Sequence, residues 1–173
     1  METTHAKDDV TDAEPTGTND RLDEEGEIAA DYLEELLDIA DIDGDIEIDV
    51  ENGRAAVEIL TEEGGRGLSR LVGRDGEVLD ALQELTRLAV QTKTGERSRL
   101  MLDIAGHRAN RKAELVREAE EVIARVKESG QSVALEPMNP FERKVVHDAV
   151  AAAGLVSDSE GVEPSRYVVV KSA

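Results

Sequence analysis

The sequence predicts an α+β protein in which two small domains follow an acidic tail. Residues 28–104 show helix and strand patterns in the order α-β-β-α-α-β. A long amphipathic helix comes next, and the remaining residues alternate strand, helix and strand. We place the tail at residues 1–27 and the first domain at 28–106. The connecting helix covers 107–130, and the second domain covers 131–173.

The tail and the first helix differ in how often apolar residues occur. Residues 1–27 are rich in Asp, Glu, Thr and Gly and contain few hydrophobic residues, a composition typical of disorder. From Ile28 to Ala40, apolar residues recur at i, i+4, i+8 and i+12, which is the spacing of one helix face. The sequence therefore predicts a disordered tail that ends where this helix begins.

A β-hairpin follows the first helix. Apolar and acidic residues alternate from Ile46 to Val50, as they do in a half-buried strand. Asn52-Gly53 is the strongest short hairpin signal, and it predicts a tight turn into a second strand that ends at Leu60.

Two helices and a strand complete the first domain. Residues 68–72 predict a short helix, 73–76 a tight turn, and 77–91 a longer helix. Alternation over residues 100–104 predicts the third strand. We expect the longer helix to bury Val78, Leu79, Leu82, Leu85, Leu88 and Ala89.

The second domain contains a helix with a well-marked start. Asn139 suits the N-cap, Pro140 the first helical position, and Glu142 the reciprocal hydrogen bond of a capping box. This helix is expected to end near Ala153, before Gly154. The other predicted elements are a helix over 107–128, a strand over 131–135, a loop over 157–164 and a strand over 167–171.

Composition excludes several classes of protein. The chain has no cysteine, which excludes disulfides and thiolate metal sites. No apolar run approaches the roughly 20 residues of a transmembrane segment, and the polar N-terminus does not resemble a secretory signal. The chain also lacks the Walker, H-E-x-x-H and G-x-S-x-G motifs. We therefore expect a cytoplasmic protein that is not an enzyme and has no cofactor or metal.

Charge is distributed unevenly along the chain. The net charge is −20, and residues 1–63 hold 23 of the 40 acidic side chains but 3 of the 20 basic ones. Residues 66–112 hold 10 basic and 6 acidic side chains. Because the local field decides where a polyanion binds, this middle stretch is the candidate region for nucleic acid.

Two motifs carry the functional prediction. The turn Gly73-Arg74-Asp75-Gly76 lies between two helices, where glycines allow close backbone approach and helix amides favour a phosphate. KH domains use a G-x-x-G loop in this way, and α-β-β-α-α-β is the element order of a type II KH domain. Arg143 and His147 are spaced i and i+4, so both project from one helix face as phosphate donors.

These motifs and their flanks resemble one bacterial family. Residues 71–83 resemble the KH signature of the Jag family, also called KhpB or SpoIIIJ-associated proteins. Residues 95–97, 102–104 and 106–108 fit the same signature. Residues 136–147, together with 159–161 and 166–170, are similar to the R-three-H domain of that family, which binds single-stranded nucleic acid.

The resemblance implies a single-stranded RNA-binding protein that acts as an RNA chaperone or post-transcriptional regulator linked to cell elongation and division. It also implies a small separate KH-domain protein as a partner and a link to a membrane-protein insertase. Asp75 departs from the pattern, because a basic or neutral residue would suit a phosphate better there. The supporting phosphate contacts that we expect are Arg70, Arg108, Arg111 and Lys112.

Two alternatives stay open at the level of sequence. The acidic tail either keeps the chain soluble or competes with RNA for the basic surface. The protein as a whole could instead be an adaptor for membrane-protein insertion or envelope control, with RNA binding secondary. An adaptor function should survive the loss of Gly73, Arg74, Gly76, Arg143 and His147, whereas RNA binding should not.

Overall fold

The computed structural model describes residues 16–62 and 67–173, and the chain divides into two compact units between Ala105 and Gly106. The α+β class is confirmed. Residues 1–15 of the predicted tail lie outside the described residues. The first unit contains α1 (Thr16–Ala40), β1 (Asp45–Glu51), β2 (Arg54–Leu60), α2 (Leu68–Val72), α3 (Glu77–Thr94) and β3 (Met101–Ile104), with a tight turn between α2 and α3.

Helix α1 corrects the predicted tail, because it begins at Thr16 rather than at Ile28. Leu22 is 5% exposed and extends the buried stripe of the helix toward its N-terminus. Gly26 lies against β1, where a Cβ atom would come within 2.4 Å of Ile48 Cγ2. The buried Glu25 carboxylate accepts a 2.7 Å hydrogen bond from Ser98 Oγ. Residues 21–27 are therefore part of the packed unit, and the prediction of disorder was wrong for residues 16–27, which are helical.

The three-stranded sheet has the order β1-β2-β3. β1 and β2 form the predicted antiparallel hairpin, in which Asn52 and Gly53 both take positive φ values, 50° and 70°. β3 runs parallel to β2, with Met101 opposite Ala56. One face of the sheet packs against α1 and α3 to form an aliphatic core that includes Leu33, Leu37, Val57, Ile59, Leu79, Leu82, Leu102 and Ile104.

Side chains from α3 satisfy the backbone at β3. Gln83 Oε1 accepts a 3.0 Å hydrogen bond from the Leu102 amide, and Arg87 Nε donates a 2.8 Å bond to the Leu100 carbonyl. Thr86 is also buried and bonds the Leu82 carbonyl at 2.7 Å. These polar residues occupy the inner face of α3 because each has a hydrogen-bond partner there.

The buried face of α3 therefore differs from the prediction. Leu79 and Leu82 are buried as expected, but Val78, Leu85 and Leu88 are 37%, 52% and 56% exposed. The sequence carries apolar residues on two adjacent faces of this helix. The hydrogen bond that Gln83 accepts from the Leu102 amide favours the face that turns inward, and Thr86 can be buried there because it bonds the Leu82 carbonyl of its own helix.

The second unit contains α4 (His107–Ser129), β4 (Val133–Ala134), α5 (Pro140–Ala152), β5 (Val156–Glu160) and β6 (Tyr167–Lys171). Its antiparallel sheet has the order β4-β6-β5. Helix α4 corresponds to the helix that we predicted to connect the two domains. Its apolar stripe lies in the core of the second unit, so α4 is part of that unit. That core includes Leu115, Ala119, Ile123, Val126, Val146, Val150, Val168 and Val170.

Strand β5 (Val156–Glu160) replaces the first half of the predicted loop over residues 157–164. It pairs with β6 from Val156 opposite Lys171 to Glu160 opposite Tyr167. Its sequence, Val-Ser-Asp-Ser-Glu, has no apolar alternation, so the hydrophobic pattern gave no strand signal. None of the helices in the described ranges has the length and apolar character needed to cross a membrane.

We predict that Leu22→Ala lowers the free energy of unfolding by about 3 kcal/mol, because a buried leucine is replaced by a cavity. Leu88→Ala removes the same atoms from an exposed site and should cost about 0.5 kcal/mol or less. Urea unfolding followed by circular dichroism measures both variants. Equal stability of the two would mean that residues 16–27 do not pack as described.

Candidate nucleic-acid interface

The turn between α2 and α3 is built almost wholly from left-handed backbone. Gly73, Asp75 and Gly76 have φ values of 73°, 52° and 82°. Glycine takes such angles without strain, and aspartate is among the few other residues that tolerate them. The turn ends at Gly76, which is the N-cap of α3.

Gly73 is required for a second reason. A Cβ atom at this position would lie 2.4 Å from Val78 Cγ2 and 3.1 Å from the Val78 backbone nitrogen. The first turn of α3 therefore packs directly on the Gly73 backbone. Any other residue at this position would push α3 away and open the turn.

This turn can receive an anion. Helix α3 has 18 residues, and its N-terminal amides and dipole favour negative charge at the end that the turn precedes. Arg74 is exposed within the turn, and Arg70 is exposed in the last turn of α2. Asp75 is exposed beside them and places a negative charge in the same turn. The arrangement suits a phosphate, but Asp75, together with Glu77 and Asp80 in the first turn of α3, should weaken the attraction.

Arg143 does not project into solvent as the helix spacing suggested. It is 6% exposed, and its Nη1 atom donates a 2.7 Å hydrogen bond to the Met138 carbonyl. Its Nη2 atom donates to Glu163 Oε1. Arg143 thus joins the segment that enters α5 to the loop between β5 and β6. A phosphate reaches this guanidinium only if the Glu163 carboxylate moves away.

His147 is held from both sides by β5. Its Nδ1 atom lies 2.6 Å from Ser157 Oγ, and its Nε2 atom lies 2.8 Å from Ser159 Oγ. Serine hydroxyls both donate and accept, so a neutral imidazole can satisfy both contacts in either tautomer. The i, i+4 pair therefore fixes α5 to β5 and to the following loop.

The predicted supporting cations differ in their bonds to carboxylates and in their exposure. Arg111 Nε bonds Glu142 Oε1 at 2.8 Å, and its Nη1 atom also approaches Glu114 and Glu118. The hydrogen bond that Arg111 donates to the Glu142 carboxylate raises the pKa of Arg111 and joins α4 to the capping box of α5. Arg108 is partly buried, whereas Lys112 is exposed.

Sequence reasoning missed the partners that hold the Arg-x-x-x-His pair. These are Met138, Ser157, Ser159 and Glu163. The alternation of the two serines in Val-Ser-Asp-Ser-Glu was the one available signal, because side chains two apart in a strand share a face. Nothing in the sequence pattern links Glu163 to Arg143, since 20 residues separate them.

Comparison with known proteins gives two findings. The R-three-H domain model matches residues 113–172, which begins within α4 and ends after β6. The RNA-binding protein KhpB of Clostridium symbiosum is 34% identical over 143 residues, covering 82% of this chain and 64% of that protein. The proteins of the same name from Lactiplantibacillus plantarum and Streptococcus pneumoniae are 33% and 31% identical. In both cases the chain spans 42% of the relative's length.

We predict that Arg143→Gln destabilises the second unit by about 2 kcal/mol, because it removes charged hydrogen bonds to Met138 and Glu163. Arg117→Gln makes the same substitution at an exposed position of α4 and should change stability by less than about 0.5 kcal/mol. Hydrogen exchange at the α5 amides measures the stability of the second unit alone. Unchanged α5 protection in Arg143→Gln would contradict the structural role.

Proposed function

Because the chain belongs to the Jag family, also called KhpB, we propose that it binds single-stranded RNA. In this proposal the first unit is a type II KH domain that grips about four nucleotides through Gly73–Gly76. The second unit, an R-three-H domain, holds a neighbouring stretch of the same strand. Two weak sites on one strand reinforce each other through effective concentration.

The geometry of the turn is the observation that carries this proposal. Gly73, Asp75 and Gly76 hold a left-handed path, Arg74 is exposed, and α3 begins at once. This places backbone amides and a guanidinium at one point on the surface, which is the arrangement that a phosphodiester needs. Recognition through the backbone requires no aromatic platform, in agreement with a chain that has three aromatic residues.

In the second unit, we assign Arg143 and His147 to shaping the binding surface. Both side chains fix β5 and the loop that follows it against α5. A direct phosphate contact from Arg143 would require exchange with the Glu163 carboxylate. In this assignment, Arg143 and His147 hold in place the surface that RNA contacts.

The cellular role that fits best is RNA chaperoning or post-transcriptional regulation linked to cell elongation and division, by binding and not by catalysis. An adaptor role is the second candidate. The row of Val78, Leu85 and Leu88 on the solvent face of α3 favours it, because exposed aliphatic rows are typical of protein contacts. A small KH-domain protein is one proposed partner, and a membrane-protein insertase is the other proposed link.

We predict opposite effects of two neighbouring substitutions on the binding of a labelled single-stranded RNA. Arg74→Asp should weaken binding at least tenfold, because it replaces a phosphate donor with a repelling charge. Asp75→Asn should tighten binding about fivefold, because removal of one charge near a phosphate is worth about 1 kcal/mol. Asparagine also tolerates the left-handed backbone at this position. Fluorescence anisotropy at several salt concentrations measures both effects.

Matched controls distinguish an effect of the turn on affinity from an effect of the net charge. Arg117→Asp and Asp31→Asn make the same charge changes on exposed faces of α4 and α1, and they should leave the affinity within about twofold of the native value. If the native chain binds no RNA at low salt, the proposal fails. If the turn variants behave like their controls, RNA binds elsewhere on the protein.

A further inference from the structure

A second group of arginines lies on the sheet of the first unit, away from the Gly73–Gly76 turn. Arg54 Nη1 and Arg87 Nη2 lie 3.6 and 3.8 Å from the same atom, Met101 Sδ. Two guanidinium groups, one from β2 and one from α3, therefore meet at the start of β3. We call Arg54, Arg87, Arg97 and Arg99 the sheet-end arginines.

Arg97 and Arg99 lie in the segment that leads into β3, where exposed and buried residues alternate as they do in the strand. Ser98, Leu100, Leu102 and Ile104 are buried, so the odd-numbered residues from 97 to 103 turn to the opposite face. Met101 lies opposite Ala56 in the parallel register. Arg99 precedes Met101, the first paired residue of β3, by two positions. Arg54 and Arg87 thus meet at Met101, and Arg97 and Arg99 lie on the exposed side of the segment that leads into it.

Two of these cations are available to a ligand. Arg97 and Arg99 are exposed, and neither forms a side-chain hydrogen bond or ion pair with any residue in 16–62 or 67–173. Arg87 is partly neutralised by Glu84 at 2.7 Å, and Arg54 has Glu51 as its cross-strand neighbour. The net local charge stays positive.

The segment that carries Arg97 and Arg99 is anchored on both sides. Arg21 Nη1 bonds Glu96 Oε2 at 2.9 Å, and Ser98 Oγ bonds the buried Glu25 carboxylate at 2.7 Å. Both anchors come from the part of α1 that precedes Ile28. Residues 96–98 are therefore fixed before any ligand arrives, which lowers the entropy that binding must overcome.

The rest of the same sheet face excludes a polyanion. Asp45, Glu47, Asp49 and Glu51 alternate along β1 and are all exposed. A phosphate chain is repelled along β1 and attracted at the sheet-end arginines. This charge contrast favours a ligand that crosses the corner of the sheet and does not lie along it.

We propose that the sheet-end arginines form a second phosphate-binding site, which holds RNA beyond the nucleotides gripped by the Gly73–Gly76 turn. This inference rests on the proposed RNA binding. The turn precedes α3 and Arg97 follows it, and an 18-residue helix is about 27 Å long. Four stacked nucleotides span about 14 Å at roughly 3.4 Å each. A short RNA at the turn therefore does not reach the arginines, whereas a longer one does.

The test compares a 5-nucleotide and a 15-nucleotide RNA, binding to the native chain and to Arg97→Gln/Arg99→Gln. The double variant should bind the longer RNA about tenfold more weakly. The slope of log affinity against log salt should also fall by about 1.4, at roughly 0.7 for each single-strand phosphate that the two arginines no longer neutralise. Its affinity for the shorter RNA should not change.

Arg117→Gln/Arg125→Gln removes the same charge from the exposed face of α4 and is the matched control. An unchanged affinity for the longer RNA, or a decrease equal to that of the control, overturns this inference while Arg74-dependent binding stands. If the native chain binds neither RNA, the proposed function fails and this site fails with it. Circular dichroism and thermal melting establish that each variant is folded.

Discussion

The passage from α2 to α3 takes four residues, and the backbone there has little freedom. Three of these residues have positive φ, and the side chain of Val78 lies where a Cβ atom of residue 73 would be. The direction of α3 depends on this close approach, and α3 in turn packs on α1 and supplies hydrogen bonds to β3. The same constraint exposes Arg74 beside the N-terminus of α3. One local packing requirement thus serves both the core and the candidate site.

The arginines of this chain have different physical roles although they share a charge. Arg143 and Arg111 are bound to carboxylates and join elements of the second unit. Arg74, Arg97 and Arg99 lie exposed on the first unit. A cation that already holds a carboxylate gains little from a phosphate, because the exchange breaks one charged hydrogen bond to make another. Arg74, Arg97 and Arg99 are therefore stronger candidates for contact with RNA than Arg143 and Arg111.

The acidic side chains influence which surfaces of the first unit can bind RNA. The exposed carboxylates of β1 and of the outer face of α1 lie on the unit that also carries the candidate turn. A net charge of −20 would oppose encounter with RNA if it were spread evenly. On the described part of the first unit, the exposed carboxylates of β1 disfavour a polyanion and leave the turn and the sheet-end arginines as its candidate contacts.

Local signals predicted much of the fold and part of the candidate site. The hairpin at Asn52-Gly53, the capping box at Asn139 and the turn with its exposed Arg74 followed from turn chemistry and periodicity, which depend on neighbours in sequence. The failures depended on tertiary contacts. Residues 16–27 are helical because Leu22 and Glu25 find partners, and β5 is a strand whose serines meet His147. The burial of Arg143 and the meeting of Arg54 and Arg87 at Met101 could not be predicted for the same reason, since both require the folded register.

The central claim is that the Gly73–Gly76 turn is the point at which RNA meets the protein. Nuclear magnetic resonance of the ¹⁵N-labelled chain, titrated with a 5-nucleotide RNA, tests it residue by residue. We predict that the amide resonances of residues 73–77 move in proportion to bound RNA while those of β1 stay in place. If the β1 resonances shift and those of residues 73–77 do not, the claim is contradicted.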